Sequence, residues 1–442
     1  MGRRYYLLLG GYVVSSLGNW IYRLTLPLLV LHLTGSALDA ATLYVLEYLP
    51  FLLLSLPGGV YADRFDRRRL LITGDLVASA VATMIGLYVS FGFDRLGPLY
   101  VAAFLLGCVE PIYHPAFQSL LPTLVPDDKM ESANAWMQSG DNIVSLAGPA
   151  AAGLTVALLG FQAAVYLDAA TFVISAVAIA LIGHVAVAQA PAGRPTGNRS
   201  MLAELREGAR HVFTENRVLL AGALFFAGTN FAIWLVQANF IYYLAEYRHL
   251  SPSTIGVIVS AQGVGAVLGA VLSARLIRRA APGRVILGYT AMAGLTTFLL
   301  VVLRDPVSIA IVWGLLFGLS AVNIVAWFTL RQRVVPGHLL GRAVATTRML
   351  AFASIPVAAL LGGALESSLH NVYIIFAVAG LLRVGMAVVG LRTPLGRTPS
   401  GRPAAEPTAS PAAKKPAAEP TASPAAKEPA VEPAAEEAAV HG

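Results

Sequence analysis

The 442-residue chain is 57% hydrophobic and only 12% charged, with a formal net charge of +7. Soluble domains carry about 25% charged residues, so this composition excludes a string of soluble domains and fits a polytopic membrane protein. The basic balance is then a topology signal rather than a nucleic-acid footprint, and Cys108, the single cysteine, excludes an intramolecular disulfide or a cysteine-built metal cluster.

A membrane-crossing helix needs about 20 mostly apolar residues. About twelve spans are expected on that measure. They are Leu7–Leu31, Thr42–Tyr61, Leu70–Phe91, Pro98–Leu120, Met137–Leu159, Ala163–Val185, Val218–Leu244, Thr254–Leu276, Val285–Leu303, Val307–Leu330, Ala343–Leu365 and Val372–Leu391. The start, with Arg3 and Arg4 before a long apolar run, reads as an uncleaved first helix rather than a signal peptide. Lys and Arg alternate between loops. One set holds Arg64, Arg67, Arg68, Arg69, Lys129, Arg275 and Arg331, whereas the other holds only Arg95, Arg248 and Arg304. Basic loops stay in the cytoplasm. The expectation is a multi-pass protein of the inner (plasma) membrane with both termini cytoplasmic.

Residues 186–217 divide the chain into six-span halves, 1–185 and 218–391. Within this divider, Ala190 to Arg199 is a Pro/Gly-rich linker. Met201 to Phe213 is amphipathic, with Leu202, Leu205, Ala209, Val212 and Phe213 on one side, and is expected to lie on the inner membrane surface. The halves repeat: Gly59 and Gly269, Val125-Pro126 and Val335-Pro336, Ala133 and Ala343, and Gly153 and Gly363 all keep one offset of 210 residues. An ungapped offset across several loops and helices indicates two parallel copies of a six-helix unit. From Arg392 the composition turns to Pro, Ala, Glu, Lys, Ser and Thr, and Pro403 to Lys414 recurs as Pro416 to Lys427. Residues 392–442 are expected to be a disordered tail.

The loop after the second span reads Gly59-Val60-Tyr61-Ala62-Asp63-Arg64-Phe65-Asp66-Arg67-Arg68. It could be a topology anchor alone. It also resembles the loop motif of the major facilitator superfamily, with matches at Gly59, Asp63, Arg64, Arg67 and Arg68 and with Asp66 where that family usually has Gly. Gly140, Gly148, Pro149 and Gly153 on the fifth span resemble the motif of antiporters in the same superfamily, with Ala152 replacing one Gly. The stretches around Leu121 to Ala135, Met201 to Arg217 and Gln332 to Arg342 resemble its bacterial drug, macrolide and siderophore exporters. The resemblance implies an all-α fold of two six-helix repeats. It also implies export by rocking of the halves about a central site, with Asp63 and Arg67 locking the cytoplasmic side.

Ionisable residues inside spans are functional candidates by default. Counting ~1.5 Å per residue, Arg23 and Glu47 fall at one depth and Asp168 close to it. They form either a structural ion pair or a proton-exchanging group held by Arg23. A second layer holds Asp75, Glu110 and Asp141. Glu110 precedes Pro111 and has His114 four residues on, so it either caps backbone groups freed by the proline or relays a proton with His114. Asp75 and Asp141, near span ends, are expected to pair with loop arginines. The second half offers amides and aromatics instead. Asn230, Trp234, Gln237, Asn323 and Trp327 are its substrate-cavity candidates, while Tyr242 and Tyr243 suit an interfacial belt.

No nucleotide-binding, zinc-hydrolase or nucleophile-elbow motif occurs. The expectation is therefore not an enzyme and not nucleotide-driven: a monomeric secondary transporter without cofactor, running on a proton gradient, that exports an amphipathic small molecule. A nutrient importer of the same fold and a non-transporting membrane sensor are the alternatives.

Overall fold

In a computed structural model, residues 1–183, 207 and 209–397 are described, with only the backbone given for 55–64, 127, 274, 278, 279, 337, 338, 340, 341 and 345. The Pro/Gly-rich linker and the repetitive tail lie outside the described residues. The described chain is helical. The helices are α1 (Arg3–Thr34), α2 (Ala37–Arg64), α3 (Arg67–Ser90), α4 (Leu96–Leu124), α7 (Arg217–Tyr242), α8 (Pro252–Arg279), α9 (Pro282–Val302), α10 (Pro306–Val334), α11 (Gly337–Leu369) and α12 (Val372–Arg392). Between α4 and α7 runs Met130–Ala180, whose 51 residues part at Gly160, where φ is 79°. Its arms, α5 (130–159) and α6 (161–180), run in opposite directions: Gly140 and Ser175 both lie beside the stretch of α1 around Gly11, and Gly148 and Asp168 both lie beside the stretch around Gly18. A residue without Cβ permits that left-handed turn. The twelve expected spans are all present.

Local chemistry explains the boundaries. In hydrocarbon every backbone group must be bonded internally, so the apolar runs become helices. Asp66 starts α3 as its N-cap, its carboxylate accepting from the Arg69 N–H at 2.8 Å. Asn216, Ser251, Asp305 and Asn371 cap α7, α8, α10 and α12 in the same way. Val125 and Val335, the repeat mates, both leave their helices in extended conformation, because the prolines after them disfavour α backbone.

Packing carries the repeat further. The pairs α1 with α5, α2 with α4, α3 with α6 and α3 with α4 recur as α7 with α11, α8 with α10, α9 with α12 and α9 with α10. Between halves, α2 packs on α11 and α5 on α8, and the repeat exchanges these two contacts. Gly153 meets Gly256 of α8, and its mate Gly363 meets Leu38 and Ala41 of α2. Both contacts lie at the end of the bundle away from the termini, and they close it.

The amphipathic segment lies mostly outside the described residues. At its described end Val212 is fully buried and packs with Leu219, Ala223 and Leu339 in the second half, and Glu207 bonds Arg342 of α11 at 2.7 Å. One expectation needs correction: order does not stop at Arg392, because the chain turns back through 394–397 and buries Leu395 in the same cluster.

Candidate functional site

Small residues on α1, α4 and α5 let the helices of the first half cross closely, yet they leave a cavity of about 500 Å³ between α1, α2, α3, α4 and α5. It runs from Arg23 and Glu47 toward the terminal end, where the exposed Gln118, Asn134 and Gln138 line it. At its deep end Arg23 Nε donates to Glu47 Oε1 at 3.1 Å. The Arg23 side chain is 42% exposed although it sits mid-bundle, because the cavity reaches it. Gly107 of α4 lies against the backbone of Glu47, so Glu110 comes one turn further toward the terminal end.

Glu110 and His114 both line the cavity and both are exposed to it. Helix α4 runs unbroken through Pro111 and Pro115, and no bond from Glu110 to backbone or to His114 occurs among the described residues. Glu110 therefore does not repair a helix break. Asp141 accepts from the Tyr12 hydroxyl at 2.6 Å, and Tyr113 reaches toward Asp75 at 3.5 Å. These two acids were expected to meet loop arginines, but they meet tyrosines inside the bundle. Tyr12, Tyr113 and Phe117 form an aromatic wall, with ring centroids 4.7 Å apart for Tyr12 and Phe117 and 6.4 Å for Tyr113 and Phe117.

Asp168 departs from the expected arrangement. It sits 1% exposed beside Gly18 and Thr171. Neither carboxyl oxygen has a hydrogen-bond partner among the described residues. It does not join Arg23 and Glu47.

Loop arginines do local work. Arg67 donates to the Ser119 carbonyl of α4 at 3.0 Å, and Arg68 donates to the Ile179 and Ala180 carbonyls at 3.1 and 2.5 Å. Helix C-terminal carbonyls carry partial negative charge and welcome such donors. Gly59, Asp63 and Arg64 fall where side chains are not described. Of the fifth-span motif, Gly140 packs on Val13 and Gly148 on Trp20, while Pro149 and Gly153 face α8 at Gly256.

The second half contributes less to the cavity than expected. Trp234 and Gln237 line a separate, smaller void of about 70 Å³ that also touches Arg23 and Glu47. Trp234 stacks edge-on against Tyr48, with centroids 4.8 Å apart. Asn230 instead bridges α7 to the Ala351 carbonyl and Ser354 at 2.7 and 3.1 Å. Asn323 donates to Thr290 at 2.8 Å, and Trp327 stacks on Phe226. These three hold the second half together. Tyr242 also leaves the expected belt, donating with Tyr247 to Glu366, and Tyr243 is fully buried. Sequence reading passed over the Tyr12–Asp141 bond and the stacking of Phe51 of α2 on Phe352 of α11, with centroids 4.6 Å apart. The first had a signal in the chain: a tyrosine and an acid at matching depths.

The sequence matches the transmembrane secretion effector family of the major facilitator superfamily over residues 5–415. The chain belongs to that family. It is 26% identical to the MFS-type transporter YfiS of Bacillus subtilis, over 88% of this chain and 92% of that one. It is also 26% identical to the multidrug efflux pump Tap of Mycolicibacterium fortuitum, over 86% of this chain and 94% of that one. A crystal structure of the nucleoside transporter NupG superposes with a TM-score of 0.73 at 13% identity, covering 88% of this chain and 99% of that chain. The protein is therefore a multi-pass membrane transporter of the major facilitator type, with multidrug efflux pumps among its relatives.

Proposed function

We propose that the protein exports an amphipathic small molecule across the plasma membrane by alternating access, in exchange for protons. The observation that carries this reading is the cavity, which holds Arg23, Glu47, Glu110 and His114 along its wall. Wet carboxylates inside a membrane bundle are suited to exchange protons as the cavity changes sides. The relationship to Tap supports drug-like cargo and the outward direction. In this cycle Glu47 releases Arg23 when protonated, Glu110 and His114 pass the proton on, and the loop of Asp63, Arg64, Arg67 and Arg68 holds the terminal side shut in the opposite state. The chain acts as a monomer without cofactor.

The test uses purified protein in liposomes with an imposed pH gradient, a panel of amphipathic compounds and a pH dye inside. Substrate-dependent proton movement is expected in the parent, with loss of most of it in Glu47→Gln or Glu110→Gln. Asp63→Asn is expected to insert normally and turn over slowly. Substrate flux without proton movement would overturn the coupling.

A further inference from the structure

We infer that a groove between α8 and α10, on the outer face of the second half, is a binding site for one anionic phospholipid, with an acyl chain in the groove and the phosphate held by Arg275 and Arg284. The site is separate from the first-half cavity and needs neither a cargo nor a proton. It forms because α8 and α10 run parallel and cross backbone to backbone: Gly265 lies against the backbone of Gly314, and Gly269 against that of Gly318. Larger side chains flank this crossing without filling the space over it. A groove of about 500 Å³ remains, bordered by Leu268 and Leu272 of α8, Ile311 and Leu315 of α10 and Tyr289 of α9. All four aliphatic side chains are exposed on the chain alone. The repeat does not require the crossing, since 210 residues earlier Gly265 and Gly314 are matched by Ser55 and Phe104.

Length and charge identify the occupant. Apolar walls do not hold water, so within a bilayer hydrocarbon fills the groove. Its α8 wall runs from Ala261 to Leu272, ~16 Å at ~1.5 Å per residue. That is about half of the ~30 Å hydrocarbon core, the depth that one leaflet's acyl chain occupies. Arg275 follows Leu268 by seven residues and Leu272 by three, so it continues the same helix face toward the end with the termini. Arg284 stands in the first turn of α9, which only residues 280 and 281 separate from α8. Both arginines are exposed, and neither has a polar partner among the described residues. Arg67 and Arg68, in the corresponding turn of the first half, are instead bonded to carbonyls. The sequence adds Arg278 and Arg279 to this turn and has no acid between Glu246 and Asp305, which belong to the opposite end. The turn therefore has no counter-ion from α8 or α9, and a lipid phosphate supplies one. A second copy fits less well. The glycines that bring membrane helices together are already used within the chain, and a parallel copy would bring a second set of arginines to the same leaflet.

The test is native mass spectrometry of the purified full chain in detergent, with phosphatidylglycerol or phosphatidylcholine of identical acyl chains added. One phosphatidylglycerol per chain is expected to stay bound, several-fold more than phosphatidylcholine. Arg275→Gln combined with Arg284→Gln should remove that preference, and Arg4→Gln, exposed at the same end on α1, should leave it unchanged. Ala310→Phe, which places a ring in the groove, should lower retention of both lipids several-fold. Glycerol 3-phosphate in excess should not displace the lipid, because it lacks the chain. Equal retention of the two lipids by the parent, a preference that survives loss of both arginines, full retention in Ala310→Phe, or displacement by glycerol 3-phosphate would each overturn the inference. A dimer in place of the lipid adduct, dissociated by Ala310→Phe, would assign the groove to a second copy and overturn it as well. Should Ala310→Phe fail to fold, the lipid comparison in the parent and in the arginine variant still decides, since both arginines are exposed. No transport is measured, so the outcome is independent of the export reading.

Discussion

Asp66 shows how one residue serves a local purpose at a position where a motif would suggest another. The related loop pattern has Gly there, and Asp looks like a disturbance of the turn. In the structure its carboxylate accepts from the Arg69 N–H at 2.8 Å and caps α3. The three arginines that follow place positive charge at a helix N-terminus, which the macrodipole disfavours. Arg67 and Arg68 escape by reaching to carbonyls of α4 and α6, and the Asp66 carboxylate offsets what remains. Asp66→Ala is therefore expected to cost about 1 kcal/mol and Asp66→Gly only a few tenths, as other caps do. Thermal unfolding in detergent measures both. Equal loss in the two variants would mean that the carboxylate acts through charge and not through the cap. Asp168 makes the complementary point. Its depth was readable by counting residues, but its face was not. A membrane helix is apolar toward lipid and toward its neighbours alike, so periodicity does not say which way a side chain turns. The same limit hid the inward packing of Asn323 and Trp327, which looked like cavity groups by composition alone.

At the scale of the helix, close crossings decide which end of the bundle is shut. A Cβ built on Gly256 would come within 2.4 Å of the Pro149 carbonyl oxygen and 3.0 Å of the Gly153 Cα, and the first is nearer than real side chains tolerate. Backbones approach this closely only where both helices lack side chains. Gly153 belongs to the fifth-span motif and Gly256 to α8, so this motif forms half of a seal between the two halves. Gly256→Val should push α5 and α8 apart at that end and favour the state open there. The check is thiol labelling of Ser253→Cys, placed one turn from Gly256, in a Cys108→Ser background. Labelling should rise several-fold when Gly256→Val is added. Unchanged labelling would mean that the glycines serve packing within one state and not the exchange between states. The existence and order of the helices were legible because hydrocarbon permits few other solutions. The α5–α6 turn was legible too, since Leu158, Leu159 and Gly160 end one apolar run before Ala163 begins the next.

For the whole molecule, two separate patterns bear on orientation. One is the repeat: α2 with α11 and α5 with α8 are exchanged by the 210-residue offset, and α1 and α7 start at the same end, so both halves cross the membrane in the same sense. The other is charge. Arg67, Arg68, Lys129, Arg217 and Arg333 all stand at the end that carries Arg3 and Arg392, while the opposite loops hold Arg95, Arg248 and Arg304. Arg248 and Arg304 are drawn into the protein, Arg248 donating to the Arg304 carbonyl at 2.7 Å and Arg304 lying 4.5 Å over the Tyr373 ring. Loops rich in Lys and Arg resist translocation, and the larger basic set lies at the end with the termini. The end with the termini should therefore face the cytoplasm, and the cavity, which runs toward that end, should receive cargo from inside. A fluorescent protein that matures only in the cytoplasm, fused after Arg397, should light up, and alkaline phosphatase at the same point should stay inactive. An active phosphatase there would reverse the orientation, and the cavity of this state would then open outward.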